Sequence, residues 1–152
     1  MNFDAVMNRT RLIVFSLMSA VVALTAVAFA IRQPGGGNDL PLLIMLAAVA
    51  ALALPAYLIV RRQMTANLRR NASPDDSTVL LGAFQTLTLI GAALAESVGM
   101  LAGVVLLISG NLIAVAGSAV SIVGLLASIP TAAALDSFLV AATGRPREGR
   151  WT

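Results

Sequence analysis

Glu96 is the one ionisable residue that lies deep inside an apolar run of this 152-residue sequence. An ionised carboxylate is costly in hydrocarbon, so such a group must pair with a cation, face water or stay protonated. No basic residue occurs within any apolar run, so we expect a neutral Glu96 that hydrogen-bonds to hydroxyl groups. The available hydroxyls belong to Thr86, Thr88, Ser118, Ser121 and Ser128. A carboxyl of this kind either carries a proton or cation, or ties two helices together.

Two further polar residues share a helical face with Glu96. At 100° per residue, 11 residues bring a helix back to within about 20° of its starting direction, so Gln85 and Glu96 point the same way, with Thr88 close by. The stripe is completed by Ala92, Gly99 and Gly103. It is either a narrow wet path from the cytoplasm to mid-membrane or a polar packing face. We favour packing, because one carboxyl with no outward continuation makes a poor path.

Most enzyme chemistry is excluded by the side chains that the sequence lacks. It contains no His, Cys or Lys, which removes imidazole relays, thiolate nucleophiles, Schiff-base lysines and the usual zinc sites. Asp75 and Asp76 supply too few oxygens for a divalent cation and are better placed to cap the third helix. We therefore expect a protein that is not an enzyme and uses no metal or cofactor.

Small residues recur every four positions in the third apolar run. Glycine and alanine in such a row let helix backbones approach closely, which drives helix association in lipid. The fourth run carries a matching set, and Gly110-Asn111 between the runs predicts a tight turn, so the two helices should form a hairpin. The seam consists of Gly91, Ala95, Gly99 and Gly103 on one side and Gly117, Ser121 and Gly124 on the other. The same pattern would also serve contacts between copies of the chain.

The composition requires a membrane to position these residues. Hydrophobic residues make up 59% and charged residues 11% of the chain, with a mean hydropathy of +0.91, whereas soluble domains average roughly 25% charged residues. Four apolar runs are long enough to cross about 30 Å of hydrocarbon, or nearly so: 12–31, 41–60, 79–109 and 112–129. We predict one all-α domain over 1–152, a bundle of four transmembrane helices.

A short amphipathic helix should follow the fourth run, over about 131–143. Its apolar positions recur at i, i+3, i+4 and i+7: Leu135, Phe138, Leu139 and Ala142. We expect this helix to lie on the inner surface of the membrane.

The arginines predict the orientation. If the N-terminus is cytoplasmic, nine of the ten arginines are cytoplasmic and only Arg32 is external, which favours two cytoplasmic termini. A cleaved signal peptide is the alternative for the first run, because Ala28-Phe29-Ala30 has the form of a cleavage site. The first apolar run is longer than the apolar region of a typical signal peptide.

Four arginines flank the loop after the second run: Arg61, Arg62, Arg69 and Arg70. Each is worth about 1 kcal/mol beside anionic lipid head groups, and each also serves as a topology anchor. The net charge of +3 is therefore better explained by the lipid bilayer as partner than by nucleic acid.

Two resemblances bear on function. The segments Leu94-Ala95-Glu96 and Gly103–Leu107 resemble the carboxylate-bearing helix of the rotor-ring c subunit of ATP synthases, and Arg32-Gln33-Pro34 looks like that family's polar loop. That resemblance implies that Glu96 carries a proton or sodium ion. The segments Ala93–Glu96 and Ile129-Pro130-Thr131 are similar to those of small four-span bacterial membrane proteins of uncharacterised function. This implies a bacterial inner-membrane location and assigns no activity.

We therefore expect a structural or accessory inner-membrane protein. Its partners would be the bilayer and either further copies of the chain or another membrane subunit. The alternative is a proton- or cation-handling subunit that uses Glu96, either rotor-like or part of a transporter.

Overall fold

The computed structural model describes residues 3–32, 39–71 and 77–144, and this part of the chain is entirely helical apart from short connections. It contains five helices: α1 (Phe3–Ile31), α2 (Leu40–Asn71), α3 (Ser77–Ser109), α4 (Ile113–Ala127) and α5 (Ala132–Thr143). The predicted all-α class is confirmed. Asp75 and Asp76, which were expected to cap the third helix, lie outside the described residues, as do Gln33 and Pro34.

Three of the helices, α1, α2 and α3, are each long and apolar enough to cross a membrane. The predicted fourth span is shorter than expected, because α4 ends at Ala127 and its 15 residues cover only about 22 Å. Helices α4 and α5 meet at an angle of 73°. Taken together, they are also long and apolar enough to cross a membrane. The break between them contains Pro130, which has no backbone N–H to continue α4. Among the described residues, the bundle thus has three helices that are long and apolar enough to span a membrane, or four candidate spans if the bent pair counts as one.

Helices α1 and α2 extend beyond the apolar runs that predicted them. Helix α1 begins at Phe3 rather than near Leu12, and Met7 in this extension is buried among residues of α3 and α5. Helix α2 continues past Val60 to Asn71, and Met64 packs in the same cluster. Tertiary packing therefore extends each helix past the end of its apolar run.

Helix α3 is the centre of the bundle and contacts each of the other four helices. The core consists of three clusters stacked along it, one built around Leu80 and Phe84, a middle one around Ala92, and one around Ala102 and Val105. The first cluster lies at the end of the bundle that carries Arg9, Arg11, Arg61, Arg62, Arg69 and Arg70, which we call the basic end.

The predicted turn between α3 and α4 is present at Gly110-Asn111. Gly110 has a φ of 66°, a left-handed conformation that glycine adopts without strain, and its N–H donates to the carbonyl of Leu106 at 2.9 Å. The Asn111 side chain then accepts a hydrogen bond from the N–H of Ile113 at 3.0 Å. This turn reverses the chain and sets α4 against α3.

Helix α5 is held against the protein at the basic end. Its predicted apolar positions, Leu135, Phe138, Leu139 and Ala142, are all buried. The Phe138 ring lies 5.6 Å from that of Phe84 on α3, and Arg69 on α2 donates through Nε to the carbonyl of Ala141 at 2.6 Å. The predicted amphipathic helix is therefore present with its apolar face packed on α2 and α3, while its position at the inner surface of the membrane stays a prediction. The spacing identified an apolar face correctly, but helices of the same chain cover it.

Candidate functional site

Glu96 lies at the boundary between the buried and exposed faces of α3. It is half-buried, and its helical neighbours on one side, Ala92 and Gly99, are buried. On its other side, about 40° to 60° around the helix, Ala93 and Met100 are exposed. The residue is therefore at the margin of the packed bundle, about midway along α3.

Four of the five expected hydroxyl partners of Glu96 are engaged elsewhere, and the fifth, Ser121, has no hydrogen-bond partner among the described residues. Thr86, Thr88 and Ser128 each donate to a carbonyl four residues earlier in their own helix, at 2.8 to 2.9 Å. Ser118 accepts a hydrogen bond from Thr25 at 2.9 Å, which joins α4 to α1. Among the described residues, Glu96 forms no hydrogen bond or ion pair. The prediction that these hydroxyls hold the carboxyl is therefore wrong.

For Thr86, Thr88 and Ser128, the physical reason is competition from the helix backbone. A Ser or Thr hydroxyl in a helix can donate to the carbonyl four residues earlier, and this local bond needs no partner from another helix. Gln85, Thr88 and Glu96 do share a stripe on α3, but no hydrogen bond connects them within the described chain. The stripe is thus a row of separate polar groups and not a connected path.

The small residues of α3 and α4 face one another inside this chain. A Cβ atom added at Gly99 would overlap the Ser121 hydroxyl, and one added at Gly124 would lie 2.9 Å from the Cβ of Ala95. Gly117 is equally close to Ala102 on α3. These positions allow the backbones of α3 and α4 to approach closely.

Two other glycines of the seam serve different neighbours. A Cβ at Gly103 would lie 2.8 Å from the side chain of Leu24 on α1, and one at Gly91 would lie 3.0 Å from the Tyr57 ring on α2. The row of small residues on α3 therefore lets three helices approach it. The sequence pattern suggested one partner helix, whereas the structure distributes the row among three.

A crevice of about 610 Å³ lies between α2 and α4, with α3 as its floor and α5 at its basic end. Its wall includes Arg61 and Tyr57, which are one helical turn apart on α2. Both side chains are half-buried, and neither has a hydrogen-bond partner among the described residues. Glu96 does not line this crevice.

The four arginines after the second apolar run thus differ in their surroundings. Arg61 lines the crevice, Arg69 is bonded to α5, and Arg62 and Arg70 are exposed. Sequence reasoning grouped all four and did not single out Tyr57. The separation of four between Tyr57 and Arg61 indicated a shared face, but the crevice depends on where three other helices lie.

The middle of the α3–α4 interface contains one buried polar atom without a partner. Ser121 is 1% exposed, and its hydroxyl forms no hydrogen bond with any residue that the structure describes. It lies directly against Gly99, which has no side chain. In the described residues, no group of three or more acidic side chains converges as a metal site would require.

The chain matches no protein-family model, no curated protein and no solved structure.

Proposed function

We propose that the protein is a structural or accessory membrane protein without enzymatic activity, and that it assembles with a second copy of itself through the margin of α3 that carries Glu96. The observation behind this proposal is that Glu96 has no partner among the described residues and lies beside an exposed apolar strip. A carboxyl at this depth needs a hydrogen bond, because an unpaired polar group is costly in hydrocarbon.

The strip beside Glu96 is suited to a second helix. It consists of residues on one side of α3 that are all exposed: Ala93, Ser97, Met100, Val104 and Leu107. A protonated carboxyl has both a donor and an acceptor, so two copies related by a two-fold axis would each satisfy the other. Hydrogen bonds of this kind stabilise helix association in lipid, because the hydrophobic effect does not drive helices together there.

The orientation in the membrane belongs to the same proposal. Six of the arginines in the described residues lie at the basic end, and Arg32 lies at the opposite end of α1. An excess of arginine marks the cytoplasmic side of a membrane protein. We therefore infer that the basic end faces the cytoplasm, and the resemblance to small four-span bacterial membrane proteins supports the proposal of a bacterial inner-membrane location.

A proton- or cation-handling role is the second candidate. The same absence of a hydrogen bond favours it, because both carboxyl oxygens of Glu96 are available to a proton or cation. The local resemblance of Leu94-Ala95-Glu96 to rotor-ring c subunits points the same way. In this candidate the carboxyl must be exchangeable, whereas in the first it is needed only as a neutral hydrogen-bonding group.

Photo-crosslinking in membranes tests the assembly directly. A photoreactive residue at Ser97, next to Glu96 on the exposed strip, should crosslink to a second copy of the chain. The same residue at Leu52, which is 67% exposed on α2, is the matched control and should give no dimer. Equal dimer yields at the two positions, or a crosslink from Ser97 only to a different protein, would contradict self-assembly.

Glu96→Gln separates the two candidates. The amide keeps a donor and an acceptor but cannot lose a proton, so assembly should persist. If Glu96 handles ions, the same variant abolishes proton flux in vesicles and carbodiimide labelling while the protein remains folded. Wild-type protein that shows neither proton or cation flux in vesicles nor carbodiimide labelling would exclude the second candidate and leave the first unaffected.

A further inference from the structure

The crevice between α2 and α4 has the length of one membrane leaflet. Along α2 it extends from Ala50 to Arg61, which is about 16 Å at 1.5 Å per residue. The hydrocarbon core of a bilayer is about 30 Å thick, so this length is about half of it. The crevice starts near the middle of the bundle and ends at the basic end.

The wall changes character along this length. At the deep end most of its residues are apolar, including Ala50, Ala53, Val98 and Val120, with the buried Ser121 beside them. At the basic end it carries polar groups: Tyr57, Arg61 and Ser137. A ligand that fits this gradient has an apolar chain and one polar head.

The charge at the basic end selects the kind of head. Arg61 carries a guanidinium with five N–H donors, and neither it nor the Tyr57 hydroxyl has a hydrogen-bond partner among the described residues. By contrast, Arg11 and Arg69 each donate to a backbone carbonyl, of Pro130 and Ala141. Unpaired guanidinium and hydroxyl donors side by side match the oxygens of a phosphate.

The shape of the crevice and its access to the bilayer favour a lipid chain as the occupant. An acyl chain is thin and flexible, and the crevice opens sideways between α2 and α4, where lipid has access. The exposed residues Leu54 and Val123 form its rims.

We propose that this crevice binds an anionic phospholipid from the leaflet at the basic end. One acyl chain lies along α3 between α2 and α4, and the phosphate binds Arg61 and Tyr57. The site is separate from Glu96 and does not depend on self-assembly.

Lipid titration of the purified full-length protein, followed by native mass spectrometry, tests this site. The probes are phosphatidylglycerol and phosphatidylcholine with identical acyl chains. We expect one phosphatidylglycerol per chain to bind more tightly than phosphatidylcholine. Arg61→Gln should weaken phosphatidylglycerol binding about fivefold and leave phosphatidylcholine binding unchanged. Arg62→Gln removes the same charge from a neighbouring exposed residue outside the crevice, and its effect should be less than about twofold.

A second pair of variants tests the acyl chain independently of charge. Ala53→Leu narrows the crevice and should reduce binding of both lipids, whereas Ala51→Leu on the exposed surface of α2 should change neither. Equal effects of Arg61→Gln and Arg62→Gln would overturn the head-group assignment. Unchanged binding in Ala53→Leu, or no lipid retained by the wild type, would overturn the site and leave a protein segment as its occupant.

Discussion

Gly99 on α3 lies so close to Ser121 on α4 that a methyl group at position 99 would overlap the serine hydroxyl. Val21 of α1 approaches the same point, at 2.6 Å from the position of that methyl group. Three helices therefore meet at one glycine in the middle of the bundle. This close approach stabilises the bundle through van der Waals contacts, because the hydrophobic effect does not drive helices together in lipid.

Gly99→Ala should therefore destabilise the protein. Overpacking of a close contact costs about 1–3 kcal/mol, which exceeds the roughly 1 kcal/mol that alanine gains over glycine in a helix. Gly82→Ala is the matched control in the same helix, because nothing lies within 4 Å of its new methyl group. Reversible unfolding in mixed micelles measures both variants. A Gly99→Ala variant as stable as Gly82→Ala would show that the helices do not meet closely at this position.

The packing of α5 gives a second prediction. Phe138 is 2% exposed and contacts Phe84, so Phe138→Ala should cost about 3–5 kcal/mol of unfolding free energy. Val140 on the same helix is 45% exposed, and Val140→Ala should cost less than about 1 kcal/mol. Hydrogen exchange of the α5 amides reports whether the helix detaches. If both variants leave α5 equally protected, its apolar face does not pack on the protein.

A third prediction concerns the hydrogen bond between Thr25 and Ser118. The two hydroxyls are 2.9 Å apart and join α1 to α4. Thr25→Val, Ser118→Ala and the double variant form a double-mutant cycle, and we expect a coupling free energy of about 0.6 kcal/mol, a typical value for an interhelical hydrogen bond in a membrane protein. Coupling indistinguishable from zero would show that the hydroxyls do not bond in the membrane.

The sequence predicted the position of a helix well where a long apolar run determined it. The prediction of 79–109 agrees closely with α3, because an uninterrupted apolar run can satisfy its backbone only as a helix in lipid. Helix α1 begins earlier than predicted, since Met7 is held by α3 and α5 and not by lipid. The burial of Phe138 was also missed, because spacing shows that a helix has an apolar face but not what covers it.

The candidate sites could be predicted less well than the helices, because they depend on how the helices pack in three dimensions. The unusual position of Glu96 was evident from its type and surroundings in the sequence. Its hydrogen bonds were not, because the hydroxyls of Thr86 and Ser128 bond within their own helices. The role proposed for Arg61 could not be separated from that of Arg62 until the positions of α3, α4 and α5 defined the crevice.

Energy transfer between labelled copies in lipid vesicles measures the proposed assembly through Glu96 most directly. The chain contains no cysteine, so one cysteine introduced at the exposed Leu112 carries either a donor or an acceptor dye. We expect concentration-dependent transfer in the wild type and in Glu96→Gln. In Glu96→Leu, which cannot hydrogen-bond, association should be about tenfold weaker, while Met100→Leu on the same strip should behave as the wild type. Transfer that is absent in the wild type, or equal in Glu96→Leu and the wild type, would contradict assembly through this carboxyl.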